Sequence, residues 1–181
     1  SLDFSNWRGS SDINSWLLKN KVIGINKINT RDLTIKIREK GAVKAAIING
    51  IDNNFKPELI IRKIKSWAGI EKQDLAYKVS CQKLKLIKSK NKKVTDINIV
   101  ALDFGCKKNI IDLLANHGFN ITLLPYNTDY NQIIKSKPKG IFLSNGPGDP
   151  LATFSKVSNT LNKLIKNKLP IFGICLGHQL I

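Results

Sequence analysis

Apolar and polar positions follow a regular rhythm in the second half of this chain and a broken one in the first. NIVALDFG (98–105), NITLLPY (120–126), GIFL (140–143) and LPIFGIC (169–175) are near-continuous apolar runs of strand length, the pattern of strands buried on both faces. Between them, KKNIIDLLANHG (107–118) and SKVSNTLNKLIKNK (155–168) carry apolar residues at helical spacing. In the first of these, Ile110, Ile111, Leu113 and Leu114 are expected to face inward and Gly118 to stop the helix. Strands alternating with helices predict a parallel sheet covered on both faces. In such a sheet, chemistry gathers at the carboxyl ends of the strands. The turns after Leu143 and after Ile174 both lie there.

The first half reads less evenly. SDINSWLLKNK (11–21) predicts a helix with Ser11 as N-cap and Ile13, Trp16 and Leu17 on one face. VIGIN (22–26) predicts a short strand. TRDLTIKIREKGA (30–42) predicts a helix capped by Thr30, with Leu33 and Ile37 on one face and Gly41 as its stop. AAIIN (45–49) predicts a buried strand, and Pro57 suits the first turn of a helix over 57–67. Trp7, Trp16 and Trp67 read as core or interface packing. KLKLIKSKNKKVTD (83–96) is charged and has no lasting period, which marks a linker with room for one short strand. The boundaries that follow are a domain over 1–83, a linker over 84–96 and a domain over 97–181.

Composition narrows the classes. Hydrophobic residues make up 42% of the chain, enough for a buried core. No apolar run approaches the ~20 residues of a membrane span, and the N-terminus lacks a signal-peptide pattern. The chain starts at Ser1 and contains no methionine, so it is expected to be a fragment. Its three cysteines, Cys81, Cys106 and Cys175, form no CxxC pair. No disulfide framework or metal site is expected, and a reducing, cytoplasmic setting fits. The net charge of +17 invites a polyanion partner. The lysines, however, are dispersed and seldom flank aromatics, as AT-rich codon usage would produce, so neither a nucleic-acid nor a membrane partner is expected.

GICLG (173–177) has the form of a nucleophile elbow with cysteine as the central residue. The flanking glycines suit a strand-to-helix turn too tight for side chains, and the helix N-terminus beyond favours a thiolate at Cys175. Alone, the motif also fits a buried, inert cysteine closing a strand. SNGPGDP (144–150) adds a rigid loop whose Gly146 and Gly148 let backbone approach a ligand and turn amides toward an oxyanion. A general base is harder to find. His117 ends a helix and suits its dipole, and His178 sits three residues after Cys175, where its ring should point away from the thiol.

Together GICLGHQL, LSNGPGDP and LDFGCKKNI resemble the class I, triad-type glutamine amidotransferases. SNWRGSSDINSWL and INTRDLTIKIREKGA resemble the N-terminal domain of carbamoyl-phosphate synthase small subunits. The resemblance implies an α/β chain: an N-terminal α/β swivelling-type domain, then a doubly wound parallel-sheet amidotransferase domain truncated after the elbow. It implies that Cys175 attacks the side-chain amide of L-glutamine, and that the amides of Leu176 and Gly146 form the oxyanion hole. Gly148 and Gln179 would help hold the substrate, and the catalytic His and Glu would lie beyond Ile181, leaving the chain inactive alone. The implied partner is the large subunit, which uses ATP and Mg to make carbamoyl phosphate for arginine and pyrimidines; no cofactor is implied here. Another triad-type amidotransferase is the nearest alternative, and a basic nucleic-acid-binding domain a more distant one.

Overall fold

The structure, a computed structural model, describes residues 6–7, 9–50, 54–91 and 97–181. The chain divides into two units, Ser1–Gly69 and Ile70–Ile181. The first unit carries helices α1 (Ile13–Lys19), α2 (Thr30–Lys40) and α3 (Pro57–Ser66). Asp12 rather than Ser11 caps α1, accepting a hydrogen bond from Ser15 N, and Asn29 rather than Thr30 caps α2. Gly41 ends α2 at φ 75°, and Pro57 opens α3 as expected. The predicted strands VIGIN and AAIIN do not form. A short apolar run becomes a strand only where a neighbour completes its hydrogen-bond ladder, and no strand pair is present among the described residues of this unit. None of the residues in α1, α2 or α3 is buried, and Trp7, Trp16 and Trp67 are all exposed. The α/β class expected of the chain is met in the second unit.

That unit is built on five strands: β1 (Lys85–Ile87), β2 (Ile97–Asp103), β3 (Phe119–Pro125), β4 (Gly140–Leu143) and β5 (Ile171–Gly173), in the spatial order β1-β3-β2-β4-β5. β2 through β5 run parallel, and β1 joins the edge antiparallel to β3. The short strand allowed for in the charged segment is therefore β1. Alternation along β2 assigns its two faces. Val100 and Leu102 enter one cluster with Leu124, Ile141 and Leu143; Ile99 and Ala101 enter the other with Ile121, Leu123 and Phe142. All lie in the sheet interior, where two-sided burial demands apolar residues at every position.

Helices cover each face. On one side lie α6 (Tyr130–Lys135) through Ile133, and α7 (Pro150–Lys166) through Val157, Leu161 and Leu164, whose spacing keeps them on one stripe. On the other side α5 (Lys108–Asn116) packs Ile110, Ile111, Leu114 and Ala115. Leu113, expected inward, is 48% exposed. At 100° per residue the stripe centred between Ile110 and Ala115 leaves Leu113 on the opposite side of the helix. Cover is thinner toward β5, where Phe172 stacks on Phe142 at 6.1 Å yet is 63% exposed.

Because α5 leads from β2 to β3 and α7 from β4 to β5 on the opposite side, the loops after β2 and β4 stand where the strand order reverses, at the carboxyl edge. Two short helices complete the unit: α4 (Ala76–Val79) and α8 (Leu176–Gln179). Among the described residues, the non-glycine positions with positive φ are Lys21, Lys27, Lys72, Lys137, Lys168 and Cys175.

Leu102→Ala should lower the stability of the second unit by about 2–5 kcal/mol, whereas Leu113→Ala should cost about 0.5 kcal/mol or less. Denaturant titration followed by limited proteolysis would measure both. Equal losses would contradict the assigned faces of β2 and α5.

Candidate active site

The elbow begins where β5 runs out. Leu143 pairs with Gly173, and Ile174 N donates to Leu143 O at 3.1 Å, the last bond of the ladder. The chain then turns through Cys175 at φ 52°, ψ −113°, a conformation that side chains seldom adopt. Immediately beyond it α8 starts, and Gly177 N donates to Ser144 O at 3.1 Å. Glycine is obligatory on both sides. A Cβ on Gly173 would lie 2.5 Å from the carbonyl of Gly177, and one on Gly177 would overlap the Leu143 carbonyl oxygen. Backbone therefore packs on backbone around the turn, and Cys175 is the exposed side chain at its apex.

The loop after β4, Ser144–Asp149, is fastened at several points. Buried Ser144 accepts from Phe104 N at 2.9 Å through Oγ. Asn145 bridges to the turn after β2, accepting from Lys107 N and donating to Gly105 O. Gly146 lies against Phe104 so closely that a Cβ would overlap its carbonyl oxygen. Gly148, at φ 106°, would place a Cβ 2.9 Å from Gln73 O and Leu75 N. Asp149 caps α7 through Leu151 N and also holds Lys72 N at 2.7 Å, while its own amide donates to Gln73 O at 3.0 Å. These bonds hold the Asp149 carboxyl below its usual range.

A strap, residues 72–81, thus crosses the carboxyl edge of the sheet. Its far end is held by Asp103, the last residue of β2, whose buried carboxylate accepts from Cys81 N, Gly105 N and Cys106 N at 2.9, 3.0 and 2.7 Å. Burial, then the Asp103 charge, pushes the Cys81 and Cys106 thiols up to about 11.

Of the residues predicted for the site, Cys175 and Leu176 stand on the elbow, Gly146 and Gly148 on the adjoining loop, and Gln179 exposed at the end of α8. The Gly177–Ser144 bond and the β4–β5 pairing bring elbow and loop together. No protein acceptor receives the amide N–H of Gly146 or of Leu176 among the described residues. His178 is exposed on α8, and His117 Nδ1 pairs with Leu113 O at 2.8 Å at the end of α5, in keeping with a helix-terminal residue. Neither histidine bonds to Cys175. Among the described residues no group of three His, Cys, Asp or Glu is placed to hold a metal ion. What the sequence reading missed is the anchoring. Asp149 before Pro150 is a helix-start signal, and Asp103 before Gly105 a turn signal, but nothing local announces the strap.

Comparison with known proteins is consistent with this geometry. Residues 100–181 match the family Glutamine amidotransferase class-I. They belong to it. Residues 1–47 match a second family, Carbamoyl-phosphate synthase small chain, CPSase domain. Over 98% of its length the chain is 40% identical to the carbamoyl phosphate synthase small chain of Bartonella henselae, and covers 47% of that protein. It is 41% identical to that of Bartonella tribocorum over the same shares, and 38% identical to that of Brucella ovis, of which it covers 46%. The chain spans about half the length of the curated relatives it matches. The cysteine elbow and the glycine loop both fall within residues 100–181.

Two pH effects follow from the thiols. At pH 8, iodoacetamide should label Cys175 well ahead of Cys81 and Cys106, as peptide mass spectrometry would show. The contribution of Cys81 and Cys106 to stability should be constant below about pH 9, the ordinary thiol value, and decline toward pH 11. Over that window unfolded thiols ionise while Cys81 and Cys106 stay protonated, so the unfolded state is favoured. Stability that rises across the same window in denaturant titrations would contradict it.

Proposed function

We propose that the chain is the glutamine-hydrolysing part of a carbamoyl-phosphate synthase, releasing ammonia for a large synthetase subunit. The observation that carries this reading is the elbow itself. A cysteine is held in a strained turn between two glycines that backbone contact makes irreplaceable, beside two amides with no protein acceptor. That arrangement suits attack on a carbonyl.

In the proposed reaction the Cys175 thiolate adds to the side-chain amide carbon of L-glutamine, and the carbonyl oxygen becomes an oxyanion. The Gly146 and Leu176 amides would receive it, in a site where such donors are worth several kcal/mol. Collapse breaks the C–N bond, and the nitrogen takes up a proton and leaves as ammonia. Water then hydrolyses the thioester, giving glutamate and the free thiol. Gly148 and Gln179 are assigned to holding the glutamine. The step needs a proton donor at the leaving nitrogen, and neither His117 nor His178 is bonded to the thiol.

The order of the two family matches, with the small-chain domain before the amidotransferase domain, favours this enzyme over other triad-type amidotransferases. ATP and Mg are assigned to the large subunit, no cofactor to this chain, and carbamoyl phosphate to arginine and pyrimidine synthesis. No helix among the described residues is long and apolar enough to cross a membrane. Three free cysteines suit a cytoplasmic location.

The chloromethyl ketone analogue of L-glutamine should label Cys175 alone. Excess L-glutamine should slow that labelling at least ten-fold, and Cys175→Ala should abolish it. Labelling that glutamine does not slow, read by intact-mass spectrometry, would overturn the reading.

A further inference from the structure

Asp74 lies in the middle of the strap and ties together parts of the chain that are distant in sequence. Tyr126, which follows β3, donates its hydroxyl to Asp74 Oδ2 at 2.5 Å. Thr153, in the first turn of α7 and 0% exposed, donates its hydroxyl to Oδ1 at 3.1 Å. Both carboxylate oxygens are therefore engaged, one by the segment after β3 and one by α7. On either side of Asp74, the Gln73 carbonyl accepts from Asp149 N, and Leu75 N lies so near Gly148 that an added Cβ would come within 2.9 Å of it. Six residues on, Ser80 Oγ accepts from Tyr126 N at 3.2 Å, so Tyr126 is held to the strap twice.

We infer that Asp74 is a positioning residue for the Gly146–Asp149 loop, fixing the strap against which the loop's backbone is set and so the direction of the Gly146 amide relative to Cys175. The inference deepens the glutaminase reading and rests on it. Its physical basis is that the loop has no Cβ at Gly146 or Gly148 to lock its path by side-chain packing. Its conformation is imposed from outside, by Phe104 on one side and the strap on the other. Of the strap's ten residues, Ala76 is the one buried apolar side chain, so packing alone does little to hold it. Charge-assisted hydrogen bonds from a buried hydroxyl on each flank supply the restraint. Tyr126 remains a donor throughout, because burial and the bond to Asp74 push its phenol well above the ordinary range.

The test separates oxyanion-dependent from oxyanion-independent chemistry at one sulfur. Attack on the chloromethyl ketone analogue of L-glutamine passes through an oxyanion; displacement of iodide from iodoacetamide does not. Asp74→Ala should slow Cys175 labelling by the ketone at least ten-fold and leave its iodoacetamide rate within two-fold of the starting protein. Asp74→Asn, which keeps one acceptor oxygen, should recover a substantial part of the ketone rate. Thr153→Val, which removes one bond and keeps the packing volume, should lower the ratio of the two rates about three-fold; it decides the matter if Asp74→Ala fails to fold. A merely structural role would change both rates together, with Cys81 and Cys106 becoming alkylated as well. Such parallel changes, or an unchanged ratio in the folded variants, would overturn the inference while the parent protein still shows glutamine-protected labelling. Loss of that protection in the parent would instead overturn the glutaminase reading, and this inference with it.

Discussion

The place of Cys175 depends on a contact in which no side chain takes part. Gly177 meets the carbonyl end of β4 so closely that only hydrogen fits at its Cα, and its amide closes onto Ser144 O. With Gly173 under the same restriction, strand, turn and first helical turn form one rigid corner. The strain at Cys175, on the order of 1–3 kcal/mol for such a conformation, persists because parallel pairing on one side and the helix on the other leave the backbone no alternative path.

Around that corner, carboxylates do what apolar packing cannot. The carboxyl edge of a parallel sheet is where amides and carbonyls outrun their ladder partners. Asp103, Asp149 and Asp74 each take up donors there: three amides, two amides and two hydroxyls respectively. The interior below is apolar and the rim is acidic, with no buried side-chain polar atom left unpaired among the described residues. A chain with a net charge of +17 thus concentrates some of its few acids where they organise backbone.

Much of the second unit was legible in the sequence because two-sided burial writes itself as continuous apolar runs. NIVALD, NITLLP and GIFL stand in the structure within a residue or so of their expected bounds. The elbow was legible for a different reason, since its glycines answer to sterics within five residues. The unread features share a physical cause. Helices of four and six residues, α4 and α6, are too short for a 3.6-residue period to show. VIGIN and AAIIN had the composition of strands without a partner. Asp74 finds Tyr126 52 positions away and Thr153 79 positions away, which no local pattern records. Leu113 shows the converse limit: an apolar residue inside an amphipathic helix, turned away from the buried stripe.

The lysines at Lys21, Lys27, Lys72, Lys137 and Lys168 occupy turns whose positive φ suits glycine or asparagine. Each such residue carries a conformational penalty of about 1 kcal/mol relative to glycine, against a total domain stability of only about 5–15 kcal/mol. A drift toward lysine therefore shifts more than surface charge. It erodes the margin against which any later substitution is tolerated, so positions elsewhere in the chain become less free to vary. Evolution toward lysine at a turn and evolvability at a distant core site are drawn from the same small reserve of folding free energy.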